Sequence, residues 1–210
     1  GKVTPVVAKS LTNQYLSSLQ KDGQKVTKDI RIRQTKSHLA LENKKTEQAH
    51  FWLGLPAYDL RDPRRWAEGI LATILGGGMS SRLFIKIREQ RGLAYYVHCS
   101  PEFYTDSGFL AAAAGVRLEK IQEAIRVALG EFSDLASNKV SDKELSKAKE
   151  FNKGHFILAM EDSRAVASRV ATQLILEGKV RSVEETLAEI DKVTAEDVRA
   201  VAKDILSPKN

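Results

Sequence analysis

In IREQRGLAYYV, Arg88 and Tyr95 stand seven residues apart, across a charged helix end, a glycine and the start of a tyrosine-bearing strand. A guanidinium and a phenol both donate hydrogen bonds, the equipment for holding a peptide carbonyl or stabilising an oxyanion. The helix-to-strand turn between them is short enough for both side chains to reach one small volume. A structural account is also open, because an arginine in a last helical turn suits the helix dipole and a tyrosine suits a strand.

Other chemistries find less support. The histidines His38, His50, His98 and His155 are scattered, and neither H-E-x-x-H nor H-x-x-E-H occurs. A single cysteine, Cys99, excludes a thiolate cage, so no metal ligands and no cofactor are expected in this chain. Ser80 and Ser81 follow GGGM rather than the G-x-S-x-G elbow. His98, the neighbour of Cys99, points to the opposite strand face. The triple glycine Gly76 to Gly78 lacks the lysine of a phosphate loop and is read as a tight corner between helices.

The formal charge of +6 is unevenly placed. Residues 1–46 carry ten Lys or Arg against three acidic residues, and the remainder is nearly balanced. Without interleaved aromatic residues, this basic stretch reads as a solvated linker with flanking strands, and no nucleic-acid partner is expected. No apolar run approaches the roughly 18 residues of a membrane span, so no membrane partner is expected either. The lone cysteine and the lack of a signal segment point to a soluble, cytoplasmic rather than secreted chain. The start at Gly1 is compatible with missing upstream sequence.

The elements that must position Arg88 and Tyr95 follow from periodicity. Leu11, Tyr15 and Leu19 suggest a short helix over residues 10–20, broken at Asp22-Gly23. TEQAHFWLGLPAYD alternates as a strand with both faces largely covered. Asp62-Pro63 opens a helix whose buried stripe is Trp66, Ile70 and Ile74, joined by Ala67 and Leu71. Ser80 or Ser81 caps the next helix, with Leu83, Phe84 and Ile87 inward and Gly92 as a left-handed stop. Two strands follow, over 94–100 and 108–116, the second apolar on both faces as a central strand would be.

The second half is helical. Leu118, Ile121, Ile125, Leu129, Phe132 and Leu135 form one stripe. Ser141 with Glu144 and Thr194 with Asp197 read as capping boxes, stapled by Val140 with Leu145 and by Val193 with Val198. Gly154 interrupts a long helix, where a kink or close contact is expected, and Pro208 closes the last one. The fold class is therefore α+β: an antiparallel or mixed sheet with helices on one face. Residues 1–45 form a basic linker and leading segment, and 46–210 the main domain.

QAHFWLGLPAYD, ILGGGMSSRLFIKIREQRGLAYYV, SGFLAAAAGV and VTAEDVRAVAKDIL occur in this order. Together they make residues 46–206 resemble the C-terminal half of the pitrilysin or insulinase family of zinc metallopeptidases, relatives of the mitochondrial processing peptidase. The resemblance is sharpest from Gly76 to Tyr95. It implies a two-part enzyme whose α+β halves enclose a chamber. One half supplies H-x-x-E-H and zinc, and the other supplies an Arg and a Tyr that grip the peptide backbone. Those positions fall on Arg88, which would orient the peptide, and Tyr95, which would help stabilise the oxyanion.

Zinc is then expected on a missing N-terminal half or a partner subunit, with a homo- or heterodimer in the latter case. The alternative within the same resemblance is a non-catalytic scaffold subunit. Strand parity groups Tyr95 with apolar Val97 and Cys99, and Tyr96 with polar His98 and Ser100. Parity thus buries Tyr95 while the motif exposes it, and which tyrosine faces a cleft stays open at this level.

Overall fold

Four consecutive alanines, Ala111 to Ala114, sit at the centre of the sheet. In the computed structural model, which describes residues 2–19, 30, 34 and 36–206, they belong to β3 (Gly108–Arg117). This strand pairs antiparallel with β1 (Gln48–Pro56) on one side and β2 (Ala94–Phe103) on the other, giving the order β1-β3-β2. The class is the expected α+β, with all three described strands before residue 118 and helices after it, and the described sheet is wholly antiparallel.

Two units make up the chain, residues 1–30 and 31–210. The first contains α1 (Pro5–Leu16), whose Thr4 hydroxyl accepts from the Val7 N–H, with Pro5 in the first turn. This cap starts the helix earlier than the apolar spacing suggested and leaves Leu19 beyond its end. Asp22-Gly23 lies outside the described residues.

The second unit is built around α2 (Arg65–Gly76), which lays Ile70, Leu71, Ile74 and Leu75 into the core. Asp62 accepts from the Arg64 N–H at 2.8 Å, so the helix begins two residues after the expected proline position. At its far end Gly76 lies so close to β2 that an added Cβ would meet the Cys99 backbone nitrogen at 2.3 Å. That glycine serves helix-on-sheet packing as well as the turn that follows.

After β3 come α3 (Ile121–Ser137), α4 (Asp142–Ala159), α5 (Ser163–Glu177), α6 (Val183–Lys192) and α7 (Ala195–Ile205). The buried face of α3 is Ala124, Ala128, Phe132 and Leu135, while Leu118 and Leu129 are exposed. Of the expected stripe, Phe132 and Leu135 are buried and Ile121 and Ile125 pack against the core, while Ala124 and Ala128 lie in the buried face as α3 packs on α7. Helix α4 continues through Gly154, where a Cβ would meet nothing within 4 Å, so the expected close contact is absent.

Thr194 and Asp197 form the expected capping box on α7, and Ser182 with Glu185 forms another on α6. Ser141 caps the Glu144 N–H of α4, but the Glu144 carboxylate turns to Arg82 instead of closing the box. Pro208 lies outside the described residues.

Core side chains from α2, α3, α7 and the inner face of the sheet form one cluster. The outer face differs from expectation: His50, Trp52 and Gly54 of β1 are exposed, where a strand covered on both sides had been inferred. Among the described residues, the helices cover one side of the sheet.

Candidate functional site

The segment carrying Arg88 is a helix of unusual pitch. Phe84–Glu89 forms a π-helix that continues directly from two α-helical residues, Arg82 and Leu83. Leu83 and Ile87 are fully buried, and these two anchors hold the widened turn against the core. Single π-turns inside helices recur at functional sites because they re-aim the following side chains. Arg88 emerges exposed, its guanidinium carbon 4.9 Å from the Phe84 ring centroid.

Between Arg88 and the strand, the backbone is fixed at three points. Gly92 adopts φ +59, the left-handed conformation that makes glycine the suitable residue. Its N–H donates to the Arg88 carbonyl at 3.0 Å, and the Leu93 N–H donates to the Ile87 carbonyl at 2.9 Å. Leu93 is 2% exposed and pins the corner into the core.

The strand then begins irregularly. Ala94 is opposite Val116, but Tyr96 is opposite Gly115, so Tyr95 is an extra residue without a partner position on β3. This bulge breaks the alternation on which parity rests. Tyr95 is consequently 53% exposed rather than buried, Tyr96 is 38% exposed, and alternation resumes with Val97 and Cys99 inward. Both tyrosines are presented at the surface. Among the described residues, no hydrogen bond or ring contact joins Arg88 to Tyr95.

Tyr96 does find partners. Its hydroxyl lies 3.0 Å from Nδ1 of His50 across the central strand, and its ring covers Gly115, where an added Cβ would fall 2.4 Å from Cε1. Its centroid is 5.9 Å from that of His50 and 5.9 Å from that of His98, and Trp52 meets His98 edge-on. Four rings from two strands thus cover the small residues of β3. Sequence inspection missed this arrangement because it depends on register, although alternation alone places His50 and Trp52 on one face of β1.

Arg117, at the end of β3, also reaches the corner, donating to the Gly92 carbonyl at 3.4 Å. It too was missed, since only strand pairing brings position 117 beside position 92.

The donor set does not fit a zinc ion. No group of three or more His, Cys, Asp or Glu side chains that could hold a metal occurs among the described residues. Cys99 is buried, and burial, with the nearby Glu68 charge, pushes its thiol up to about 12. It is neither a thiolate ligand nor a nucleophile at neutral pH. Among the described residues, no helix is long and apolar enough to cross a membrane.

Comparison with known proteins gives this corner its context. A family model described as the peptidase M16 inactive domain matches residues 1–152. The chain belongs to this family. An uncharacterized zinc protease of Streptomyces coelicolor is 41% identical over 166 residues, covering 79% of this chain and 36% of that protein. One from Bacillus subtilis is 33% identical over 164 residues, covering 78% and 40%. The chain therefore spans well under half the length of these relatives.

Among solved structures, a protease from Helicobacter pylori superposes with a TM-score of 0.83 at 19% identity, covering 99% of this chain and 51% of that one. A peptidase M16 inactive domain from Pseudomonas fluorescens gives 0.70 at 23% identity, covering 78% and 39%. These likenesses establish the M16 inactive-domain fold. They also agree with the resemblance to the non-zinc half of a metallopeptidase.

Proposed function

We propose that this M16 inactive domain is the substrate-gripping half of a zinc-dependent endopeptidase, with the zinc held by another half or subunit bearing H-x-x-E-H. Arg88 donates to a backbone carbonyl of the bound peptide and orients it. Tyr95 donates from its hydroxyl to the oxygen that becomes negative as the scissile carbonyl turns tetrahedral. The observation that carries this reading is the anchored corner: two exposed donors flank a turn whose backbone is held by Gly92 and Leu93. A corner whose backbone is held in this way limits the reorganisation needed when charge develops.

The chemistry at the metal belongs to the other half, and no step of it is assigned to residues here. Arg88 and Tyr95 contribute binding, orientation and one hydrogen bond to the developing charge.

The test combines this chain with the zinc-bearing half and measures peptide cleavage. Tyr95→Phe is expected to lower kcat by about 10² to 10³, the typical effect of removing one oxyanion donor. Arg88→Ala is expected to raise KM and lower kcat/KM, with circular dichroism unchanged for both variants. Cleavage at wild-type rates in both would refute the assigned roles. An assembly that forms normally yet never depends on either residue would favour a scaffold.

A further inference from the structure

A second feature lies at the opposite end of the sheet's outer face. A cavity of about 240 Å³ opens there, lined among others by Gly54, Pro56, Tyr104 and Phe109. Ser107 and Gln34 also line it, and among the described residues no charged side chain does. The two rings lie 6.3 Å apart, tilted by 36°. Fixed backbone holds them: Tyr104 donates to the Ser107 carbonyl at 2.9 Å and accepts from the Leu60 N–H at 2.8 Å.

We propose that this cavity is a specificity pocket for one large apolar or aromatic side chain of an extended peptide substrate. The proposal rests on the peptidase reading above. Size selects the occupant, because 240 Å³ is below the roughly 300–1,000 Å³ of drug-sized ligand sites yet roomy for a single side chain. Chemistry agrees, since the described lining is uncharged and includes two aromatic rings, which favour an aromatic or branched apolar group. Gly54 faces open space: an added Cβ there would meet nothing within 4 Å, so a large side chain at this lining position has room to extend into the cavity.

Position ties the pocket to the corner. Gly54 shares the outer face of β1 with His50 and Trp52, and Phe109 shares that of β3 with Gly115. Six residues of β3 separate the Tyr96–Gly115 row from the Phe109 row, about 20 Å at ~3.3 Å per residue. An extended peptide has the same rise, so a chain held at Tyr95 and lying along this face delivers a side chain to the pocket roughly six residues from the scissile bond.

The test uses this chain joined to its zinc-bearing half and fluorescein-labelled peptides of a small-residue background, with one phenylalanine walked along the sequence. Anisotropy gives the Kd and does not require turnover. One register is expected to bind about tenfold more tightly than the parent without phenylalanine, the scale set by apolar pocket contacts. Gly54→Leu is expected to erase that preference. Phe109→Ala enlarges the pocket and should move the preference towards tryptophan.

Equal affinity in every register overturns the pocket, as does a folded Gly54→Leu protein that keeps the phenylalanine preference. If Gly54→Leu does not fold, an unchanged preference in Phe109→Ala overturns it instead. Failure here is separable from failure of the corner. Cleavage that needs Arg88 and Tyr95 without side-chain preference sinks only the pocket, while preference retained with neither residue required sinks only the grip.

Discussion

Glu68 is fully buried in α2, and neither carboxylate oxygen has a hydrogen-bond partner. Burial pushes its carboxyl up to about 7, and the nearby Asp62 charge adds to this. The Tyr58 backbone pulls the other way, and more strongly than the Asp62 charge adds. The folded protein therefore holds this proton more tightly than the unfolded chain does. The stabilisation is fully present below the ordinary glutamate value and is lost as pH rises to about 7, beyond which it changes no further. Denaturant melts should show stability falling by on the order of 2–3 kcal/mol across that window from this group. Glu68→Gln should flatten the window. Identical pH dependence in the two proteins would show that Glu68 does not bind the proton as described.

At the scale of elements, the π-helix is held in place by Arg82 just before it. The Arg82 guanidinium donates to both Glu144 oxygens, at 2.7 and 2.9 Å, and to Asp134, so one side chain ties this segment to α3 and α4. Arg82→Met should cost about 1 kcal/mol, because it removes a bidentate, charge-assisted tie to carboxylates that stay partly exposed to water. A shift below about 0.5 kcal/mol in chemical denaturation, the ordinary range of a surface change, would show that the tie is idle. The same arginine explains one limit of sequence reading. Ser141 and Glu144 have the spacing of a capping box, but a long-range partner took the carboxylate. Parity failed at Tyr95 for a related reason, since a bulge is a property of pairing with β3 and leaves no local mark. Gly92, by contrast, acts within its own turn and was legible.

At the scale of the whole molecule, the three strands, the first helices and the last helix were legible because their patterns are local and strong. The α7 cap and the central, apolar β3 are cases in point, whereas α5 and α6 were not separated within the helical half. The outer face of β1 was not legible, because apolar Trp52 and Leu53 look alike in sequence while only one of them faces the helices. Helix α5 has no buried residue and is tethered largely by charge. Glu177 accepts from Arg65 of α2 at 2.9 Å, with both side chains only 9% exposed, and also from Arg181. Arg169 of α5 donates to Thr186 of α6 at 2.8 Å. Glu177→Gln should therefore lower global stability by about 2 kcal/mol and accelerate amide exchange in α5 more than in α2 or β3. Uniform exchange across all three would mean that α5 is secured by something else.

The alanines of β3 have a mechanical consequence. With a methyl group or less standing on much of either side, the sheet has almost no padding between the Tyr96 ring resting on Gly115 and the helix seated through Gly76 against Cys99. Interiors packed this closely compress very little. A molecule pressing on the aromatic surface therefore meets a sheet with little give.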